Sequence, residues 1–365
     1  MKLKNALIFD SENQTFGNGG MVFENGKICG FQSYDDAMDC EGDFIVPGLI
    51  DIHTHGREGF DFISASVAEL KDLRRRYAMI GITTVVPSLA SETLENMLAA
   101  VARIREAGFK AVHLEGRYMN ANRRGGHPQH LLAPLDPSEV SLFAKQAGNM
   151  HLHVSASYEL DEDGTFLKAV LENGGTASLA HTDATYEKAM DVVNRGVCSF
   201  THLFNASAPV HHRAGGAVVA GLLSNAYTEV ICDGFHLAPE TIRLIHKTKS
   251  SDRVILITDS MEGAGCPNGE YCVAGQPVYV RGGNAYTKEG TISGSTLNLF
   301  QGVKNYAKFC NIPIAEVINL ASINPAMMLK LPSVGKLDIG YQADFLRLSP
   351  NFEIKEVYVE GVRVK

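Results

Sequence analysis

The sequence predicts an α/β fold: a (β/α)8 barrel of the TIM type, with a small β domain formed by both chain termini. Three observations predict it. Short segments rich in apolar and β-branched residues alternate with helical patterns through the middle of the chain. Eight such strand–helix units within 365 residues fit the size of one barrel with its helices. At the two ends, by contrast, short strand patterns follow one another without helices between them.

The eight predicted barrel strands share this composition and end at turn-forming residues. They are residues 44–55, 82–88, 110–116, 151–155, 176–181, 197–202, 229–234 and 254–260. Helix ends can be read between them. Ser66 and Glu69 form a capping box before the pattern that stops at Gly81. Asp136 precedes a proline at the first helical position, and that helix is predicted to end near Gly148.

The two chain ends complete the domain organisation. Residues 1–46 and 335–365 alternate apolar and polar side chains, but neither end has enough apolar surface to fold alone. We expect them to pair into one small β-sandwich domain, with the barrel, residues 47–334, inserted between them. Residues 270–290 are also strand-like and are predicted to pack against the barrel mouth.

Composition excludes several classes of partner. The net charge of −8 argues against nucleic acid or an anionic membrane surface. No apolar run approaches the ~20 residues that a membrane helix needs, and the start MKLKNALIFD has too short an apolar stretch for a secretion signal. Seven scattered cysteines without a C-x-x-C pair predict free thiols and a cytoplasmic location.

Side chains that can bind metals occur at the carboxyl ends of the predicted strands, where such barrels have their active sites. In PGLIDIHTHG (47–56) the imidazoles of His53 and His55 alternate and therefore share one face. Other candidates end the third, fifth, sixth and eighth strands: Glu115, His181, His202 and Asp259. This set suits one or two divalent ions of the zinc or iron type, with Glu115 as the bridging ligand.

A second His-x-His pair has a different position. His151 and His153 start the fourth strand, at the end of the barrel usually concerned with stability, and we interpret them as structural. His113 lies on the same strand face as Glu115 and is interpreted either as barrel filling or as support for the ligands.

Taken together, the motifs resemble the amidohydrolase superfamily and, within it, the N-acetylglucosamine-6-phosphate deacetylase family, over nearly the whole chain. HLEG (113–116) matches the strand on which this family has a metal-binding Glu in place of the modified Lys common elsewhere in the superfamily. The other matching segments, in family order, are PGLIDIHTHG (47–56), GGHP (125–128), AHTDAT (180–185), HLFNA (202–206), DGFH (233–236), TDSM (258–261), ISGSTL (292–297) and GKLDIGYQADF (335–345).

The resemblance implies residue roles. Glu115, His181 and His202 hold the main metal ion, and His53 and His55 hold a second one. Asp259 is a metal ligand and the catalytic acid and base, and His127 contacts the substrate carbonyl. The implied substrate-binding residues are Gly126, His127, Asn205, Ala206, Arg213, Asp233, His236, Ile292, Ser293 and Gly294. In the family the Arg at the position of Arg213 can cross a dimer interface, so a homodimer is expected.

The implied reaction is hydrolysis of the N-acetyl group of N-acetylglucosamine-6-phosphate, or of a close N-acetyl amino-sugar phosphate. Two departures leave the phosphate and the sugar epimer open: Arg117 and Tyr118 follow the Glu-Gly pair, and SASYE (155–159) ends the fourth strand. One alternative is another amidohydrolase acting on a different N-acyl or cyclic amide substrate. A metal-free scaffold is the other, but every expected ligand is present.

Overall fold

The computed structural model describes residues 1–273 and 275–365; Ala274, within the predicted strand-like stretch 270–290, lies outside the described residues. In this part of the chain eight parallel strands pair in chain order to form the barrel wall. They are Leu49–Thr54, Ile82–Ala90, Ala111–Glu115, His151–Ala156, Thr176–Leu179, Ser199–Phe200, Tyr227–Ile231 and Val254–Ile257.

The barrel closes between its first and eighth strands. The Asp259 N–H donates to the His53 carbonyl (2.9 Å), and the His55 N–H donates to the Ser260 carbonyl (2.7 Å). Thr54 and Ser260 form the parallel bridge between the two strands. The predicted fold class is confirmed, and closure brings the first and eighth strand ends, which carry His53, His55 and Asp259, side by side.

A helix follows each barrel strand and covers the outside of the wall. Within the described residues the main helices are Val67–Met79, Leu94–Glu106, Pro137–Ala147, Thr165–Glu172, Tyr186–Asn194, Gly216–Leu223, Pro239–Thr248 and Leu299–Cys310, and the shorter ones are Ala315–Ile318 and Ile323–Met328. The two predicted helix starts are correct: Ser66 and Glu69 form a reciprocal capping box, and the Asp136 carboxylate accepts from the Ser138 N–H. Single 3₁₀ turns occupy Ala121–Arg123, Gln129–Leu131, Tyr158–Leu160, Ser251–Arg253 and Asn319–Ala321.

The predicted strand 44–55 is divided at Gly48 between two sheets. Phe44–Pro47 joins the terminal sheet, whereas Leu49–Thr54 begins the barrel. A Cβ on Gly48 would lie 2.1 Å from the Thr83 hydroxyl oxygen, so only glycine allows the chain to pass there. The prediction of a single strand was wrong, because a continuous apolar pattern does not show where a strand changes sheets.

The two chain ends share one eight-stranded sheet. Its strands are Lys2–Asp10, Thr15–Glu24, Lys27–Gly30, Met38–Asp39, Phe44–Pro47, Phe345–Leu348, Ile354–Val359 and Val362–Arg363. Phe44–Pro47 connects the ends, because it pairs with Lys2–Asp10 on one side and with Phe345–Leu348 on the other. The sheet curls around its own apolar core: the Ala343 N–H donates to the Gly26 carbonyl across it (2.8 Å).

A small antiparallel sheet lies at the barrel mouth. Its strands are Gly269–Val273, Gln276–Arg281 and Asn284–Thr287, as predicted for 270–290. Its apolar side packs on Met261, and Val273 reaches the pocket above the barrel. A short hairpin, Gly56–Arg57 and Phe60–Asp61, follows the first barrel strand. A search of the described helices for one long and apolar enough to span a bilayer finds none.

Candidate metal centre and active site

Six side chains from five strands converge at the carboxyl end of the barrel. His53 lies in the first strand, His55 directly follows the last residue of that strand, and Glu115 ends the third. His181, His202 and Asp259 each lie two residues beyond a strand end, and their φ angles are 46°, 28° and 49°. Residues other than glycine rarely adopt this left-handed backbone. Three such residues aimed at one centre indicate a functional constraint, because the surrounding structure has to hold the strain.

The Glu115 carboxylate occupies the middle of this cluster. Its Oε1 lies 2.8 Å from His202 Nε2 and 3.2 Å from His181 Nε2. Its Oε2 lies 3.0 Å from His55 Nε2 and 3.4 Å from His53 Nε2. Asp259 Oδ1 faces the same two imidazoles, at 3.3 Å from His55 and 3.5 Å from His53. Each carboxylate oxygen of Glu115 therefore faces one pair of histidines.

These six side chains form two groups that could each hold an ion. One consists of Glu115, His181 and His202, and the other of His53, His55 and Asp259. Nitrogen and carboxylate donors in this number suit zinc or iron. The sequence-predicted metal ligands are thus all brought together.

Hydrogen bonds of the outer ring nitrogens fix the orientation of two of the imidazoles, His55 and His181. His55 Nδ1 lies 3.2 Å from the Ser88 carbonyl, and His181 Nδ1 lies 2.9 Å from the Arg123 carbonyl. Because a carbonyl only accepts, each Nδ1 carries a proton, and Nε2 is the ring atom that faces the centre. His53 Nε2 is buried without a hydrogen-bond partner among the described residues. A buried nitrogen of this kind is suited to bind a cation.

The electrostatics of the centre favour positive charge. Burial alone would lower the pKa of His53, but the carboxylates of Glu115, Glu229 and Asp259 raise that pKa well above its usual value. The pKa of His55 rises to about 9 because Asp259 and Glu115 more than offset its burial. Since several carboxylates share a nearly dry site, a divalent ion bound there would compensate their charge.

His127 offers a single N–H to the pocket. The Ser91 backbone N–H donates to His127 Nδ1 (3.3 Å), and the Ser91 hydroxyl lies 2.9 Å from the same nitrogen. The Ser91 hydroxyl oxygen in turn accepts from the Arg117 N–H (2.9 Å). The ring proton therefore sits on Nε2, which is 3.8 Å from Glu115 Oε2. Burial and the neighbouring His181 lower the pKa of His127 to about 3, so the ring is neutral.

A pocket of about 320 Å³ opens above the ligands. Eight of the predicted substrate-binding residues line it: Gly126, His127, Asn205, Ala206, His236, Ile292, Ser293 and Gly294. Asp233 does not line it but holds His236 from behind, with Oδ2 2.7 Å from His236 Nδ1. Arg213 is exposed on a loop outside the pocket. No Lys or Arg occurs among the described residues that line the pocket.

The two segments that depart from the family's sequence pattern lie in the wall behind the pocket. Arg117 pairs with Glu139 (Nη2–Oε1 3.1 Å), and the Tyr118 hydroxyl donates to the same carboxylate (2.7 Å). In SASYE, Glu159 Oε1 accepts from the Asp183 N–H (3.0 Å) and from the Asn120 side chain (3.2 Å). These residues hold loops together and do not contact the pocket.

Three further histidines, of which His113 and His153 are buried and His151 is half-buried, lie below the centre. His151 Nε2 and His153 Nδ1 both contact the Thr176 hydroxyl oxygen, at 2.9 and 2.8 Å. Both nitrogens of His113 contact hydroxyls, those of Ser88 and Ser155. Neither ligand group among the described residues includes any of the three.

Sequence reasoning missed two residues that support the centre, Ser91 and Glu229. Glu229 lies in Tyr227–Ile231, fully buried, with Oε2 3.3 Å from His53 Nδ1. A carboxylate inside an otherwise apolar strand was the signal that could have revealed it. Ser91 follows the second strand directly, and its sequence neighbourhood carries no comparable signal.

Comparisons with known proteins agree with this geometry. Residues 44–364 match the amidohydrolase family, which defines the class as a metal-dependent hydrolase. The N-acetylglucosamine-6-phosphate deacetylase of Vibrio furnissii is 32% identical, over 93% of this chain and 89% of its own. The N-acetylgalactosamine-6-phosphate deacetylase of Escherichia coli is 28% identical, over 88% of each chain.

A solved structure extends the likeness to the whole fold. An Asp-to-Ala mutant of the Mycobacterium smegmatis N-acetyl-D-glucosamine-6-phosphate deacetylase, in complex with N-acetyl-D-glucosamine-6-phosphate, superposes with a TM-score of 0.93 at 28% identity. The alignment covers 100% of this chain and 99% of that chain. The chain belongs to the amidohydrolase family and, within it, to the N-acetylglucosamine-6-phosphate deacetylases.

Proposed function

We propose that this enzyme hydrolyses the N-acetyl group of N-acetylglucosamine-6-phosphate to give glucosamine-6-phosphate and acetate. One observation carries the proposal. Glu115 lies between two histidine pairs, and His127 and Asp259 line the same pocket above it. A Lewis-acid position, a proton acceptor and a hydrogen-bond donor in one pocket are what amide hydrolysis requires. The relatives named for this reaction support the substrate.

The proposed cofactor is one or two divalent ions per subunit, zinc or iron. Glu115, His181 and His202 would hold one ion, and His53, His55 and Asp259 the other, with Glu115 between them. When bound, such an ion polarises a carbonyl and lowers the pKa of a water molecule from ~15.7 toward 7.

Asp259 and His127 divide the remaining chemistry. The Asp259 carboxylate accepts the proton of the attacking water and later delivers it to the amide nitrogen, because an amine does not leave as an anion. The His127 Nε2–H donates to the carbonyl oxygen, on which negative charge develops. Ser91 keeps that proton on Nε2 by donating to Nδ1.

The pocket walls would hold the amino sugar. The His236 Nδ1–H donates to the Asp233 carboxylate. The Nε2 atom of His236 would then bind a sugar hydroxyl. Asn205 and the backbone at Ala206 would bind the phosphate. A phosphate dianion also calls for a cation, and no Lys or Arg is found among the described lining residues. We therefore infer a homodimer in which Arg213, exposed in this chain, completes the phosphate site of a second copy.

The redox state of the cysteines indicates the cellular compartment in which the enzyme acts. All seven cysteines are free. Free thiols are typical of a reducing environment, and we infer that the enzyme acts in the cytoplasm.

The direct test is acetate release by the zinc- or iron-loaded protein. We expect release from N-acetylglucosamine-6-phosphate, less from its galactosamine and mannosamine epimers, and least from the unphosphorylated sugar. The Asp259→Asn variant, loaded in the same way, is the matched control and should release almost none. Ammonia release from a purine without acetate, or equal rates with and without the 6-phosphate, would contradict the proposal.

A further inference from the structure

A buried carboxylate, that of Glu229, lies under the metal centre and has no role in the proposed mechanism. Glu229 is fully buried in the seventh strand, and its Oε2 lies 3.3 Å from His53 Nδ1. Its other oxygen is 3.6 Å from His153 Nε2. No Lys or Arg pairs with it in the described part of the chain. We propose that Glu229 is the positioning residue that turns His53 into a metal ligand and so creates the second ion site.

The orientation of His53 depends on Glu229. A carboxylate only accepts, so the proton of His53 is held on Nδ1 and Nε2 is directed to Glu115 and Asp259. His55 and His181 are held in the same manner by main-chain carbonyls, which side-chain substitution does not remove. Among these three imidazoles, His53 alone has its orientation set by a replaceable side chain.

Glu229 also supplies charge. The second group contains one carboxylate of its own, Asp259, and the Glu115 carboxylate of the first group also faces its two imidazoles. A further carboxylate hydrogen-bonded to a ligating imidazole makes that ligand more basic. Glu229 touches the His53 side of the cluster only, so its loss should weaken the second ion and spare the first. The inference rests on the proposed metal-dependent function.

A purely structural role of Glu229 predicts a different result when an amide replaces the carboxylate. If Glu229 only fills the barrel interior between His53 and His153, an isosteric amide would serve equally well, since it keeps the volume and a hydrogen-bonding oxygen. Glu229→Gln therefore separates the two roles. A matched control exists in Glu159→Gln, which changes another largely buried carboxylate, one that holds loops outside the pocket.

The experiment strips the metal from the full-length protein with a chelator and titrates zinc back, with calorimetry and elemental analysis as readouts. We expect the wild type and Glu159→Gln to bind two ions per chain. Glu229→Gln should keep the first affinity, and its second affinity should fall by about 10- to 100-fold. Two ions bound with wild-type affinities by Glu229→Gln, or only one ion bound by the wild type at saturating zinc, would overturn the proposal.

A second variant tests the proposal in the case that Glu229→Gln does not fold. Glu229→Asp keeps the charge but shortens the reach to His53, and it too should lose the second ion. If Glu229→Gln does not fold, retention of two ions by Glu229→Asp overturns the inference. Ion binding is measured without substrate, so a failure of the proposed deacetylase reaction would appear separately, as absent acetate release by a wild type that binds both ions.

Discussion

The barrel carries two His-x-His pairs with the same local spacing and different surroundings. His53 and His55 lie at the carboxyl end of the first strand, and their Nε2 atoms lie within 3.4 Å of Glu115. His151 and His153 start the fourth strand, and both contact the hydroxyl of Thr176. Alternation places the two imidazoles of each pair on one strand face. At the carboxyl end Glu115 and Asp259 both face both imidazoles, whereas in the second pair only His153 has a carboxylate nearby, Glu229 at 3.6 Å. Position along the strand, more than the motif, separates a candidate ligand from a structural histidine.

The largest effect is expected at the rim of the barrel, from Asp259→Asn. We expect kcat for acetate release to fall by about 10⁴-fold or more, because one side chain acts as both base and acid and each role is worth about 10²–10⁴. Steady-state kinetics on a metal-loaded variant of known ion content measures it. A loss of less than tenfold would remove Asp259 from the proton transfers.

His127→Asn removes the proposed donor to the carbonyl oxygen. We expect kcat to fall by about 10²–10³-fold, as for other groups that stabilise a developing oxyanion. KM should change far less, because the interaction strengthens in the transition state. His113→Asn, below the centre, is the comparison in kinetics and in thermal unfolding. A rise in KM alone for His127→Asn would make it a binding residue.

The two histidine pairs can be compared directly with His55→Gln and His151→Gln. The first should lower the affinity for one ion by at least about 10- to 100-fold, the loss typical of damage to a metal site. The second should leave the ion content unchanged, since His151 faces a hydroxyl and no carboxylate. Elemental analysis after dialysis gives both numbers. Equal losses of bound metal in the two variants would show that both histidine pairs contribute to metal binding.

Arg117→Ala tests the loop that departs from the family pattern. The Arg117–Glu139 pair is mostly buried, with 14% of each side chain exposed. Its loss should lower the free energy of unfolding by about 1.5–3 kcal/mol, the usual range for hydrogen bonds to charged groups. Denaturant unfolding measures this. KM for the phosphorylated sugar should stay unchanged, and a marked rise would assign Arg117 to phosphate binding after all.

The smallest expected effect, taken per pH unit, is the pH dependence of stability contributed by His151. Burial, with His153 and Lys330 nearby, lowers the pKa of His151 to about 4. Between pH 6.5 and 4 the unfolded chain binds this proton and the folded chain does not. The free energy of unfolding therefore falls as the pH falls, by at most about 1.4 kcal/mol per pH unit for one group. Unfolding curves of the wild type and His151→Gln should converge toward pH 4; parallel curves would contradict the shift.

Much of the fold and of the centre could be predicted from the sequence because both depend on local patterns. Strand alternation places His53 and His55 on one face, and strand ends mark Glu115, His181 and His202. The switch of sheets at Gly48 could not be predicted, since it depends on Thr83 from a neighbouring strand. Partners far apart in the sequence were missed for the same reason, above all the contact between Glu229 and His53.

We propose that the metal ions bind at the rim of the barrel and not at its floor. Anomalous diffraction at the zinc edge from crystals of the zinc-loaded protein tests it most directly. We expect two peaks on either side of Glu115, one beside His181 and His202 and the other beside His53 and His55. A peak at His151 and His153, or no peak in contact with Glu115, would contradict it.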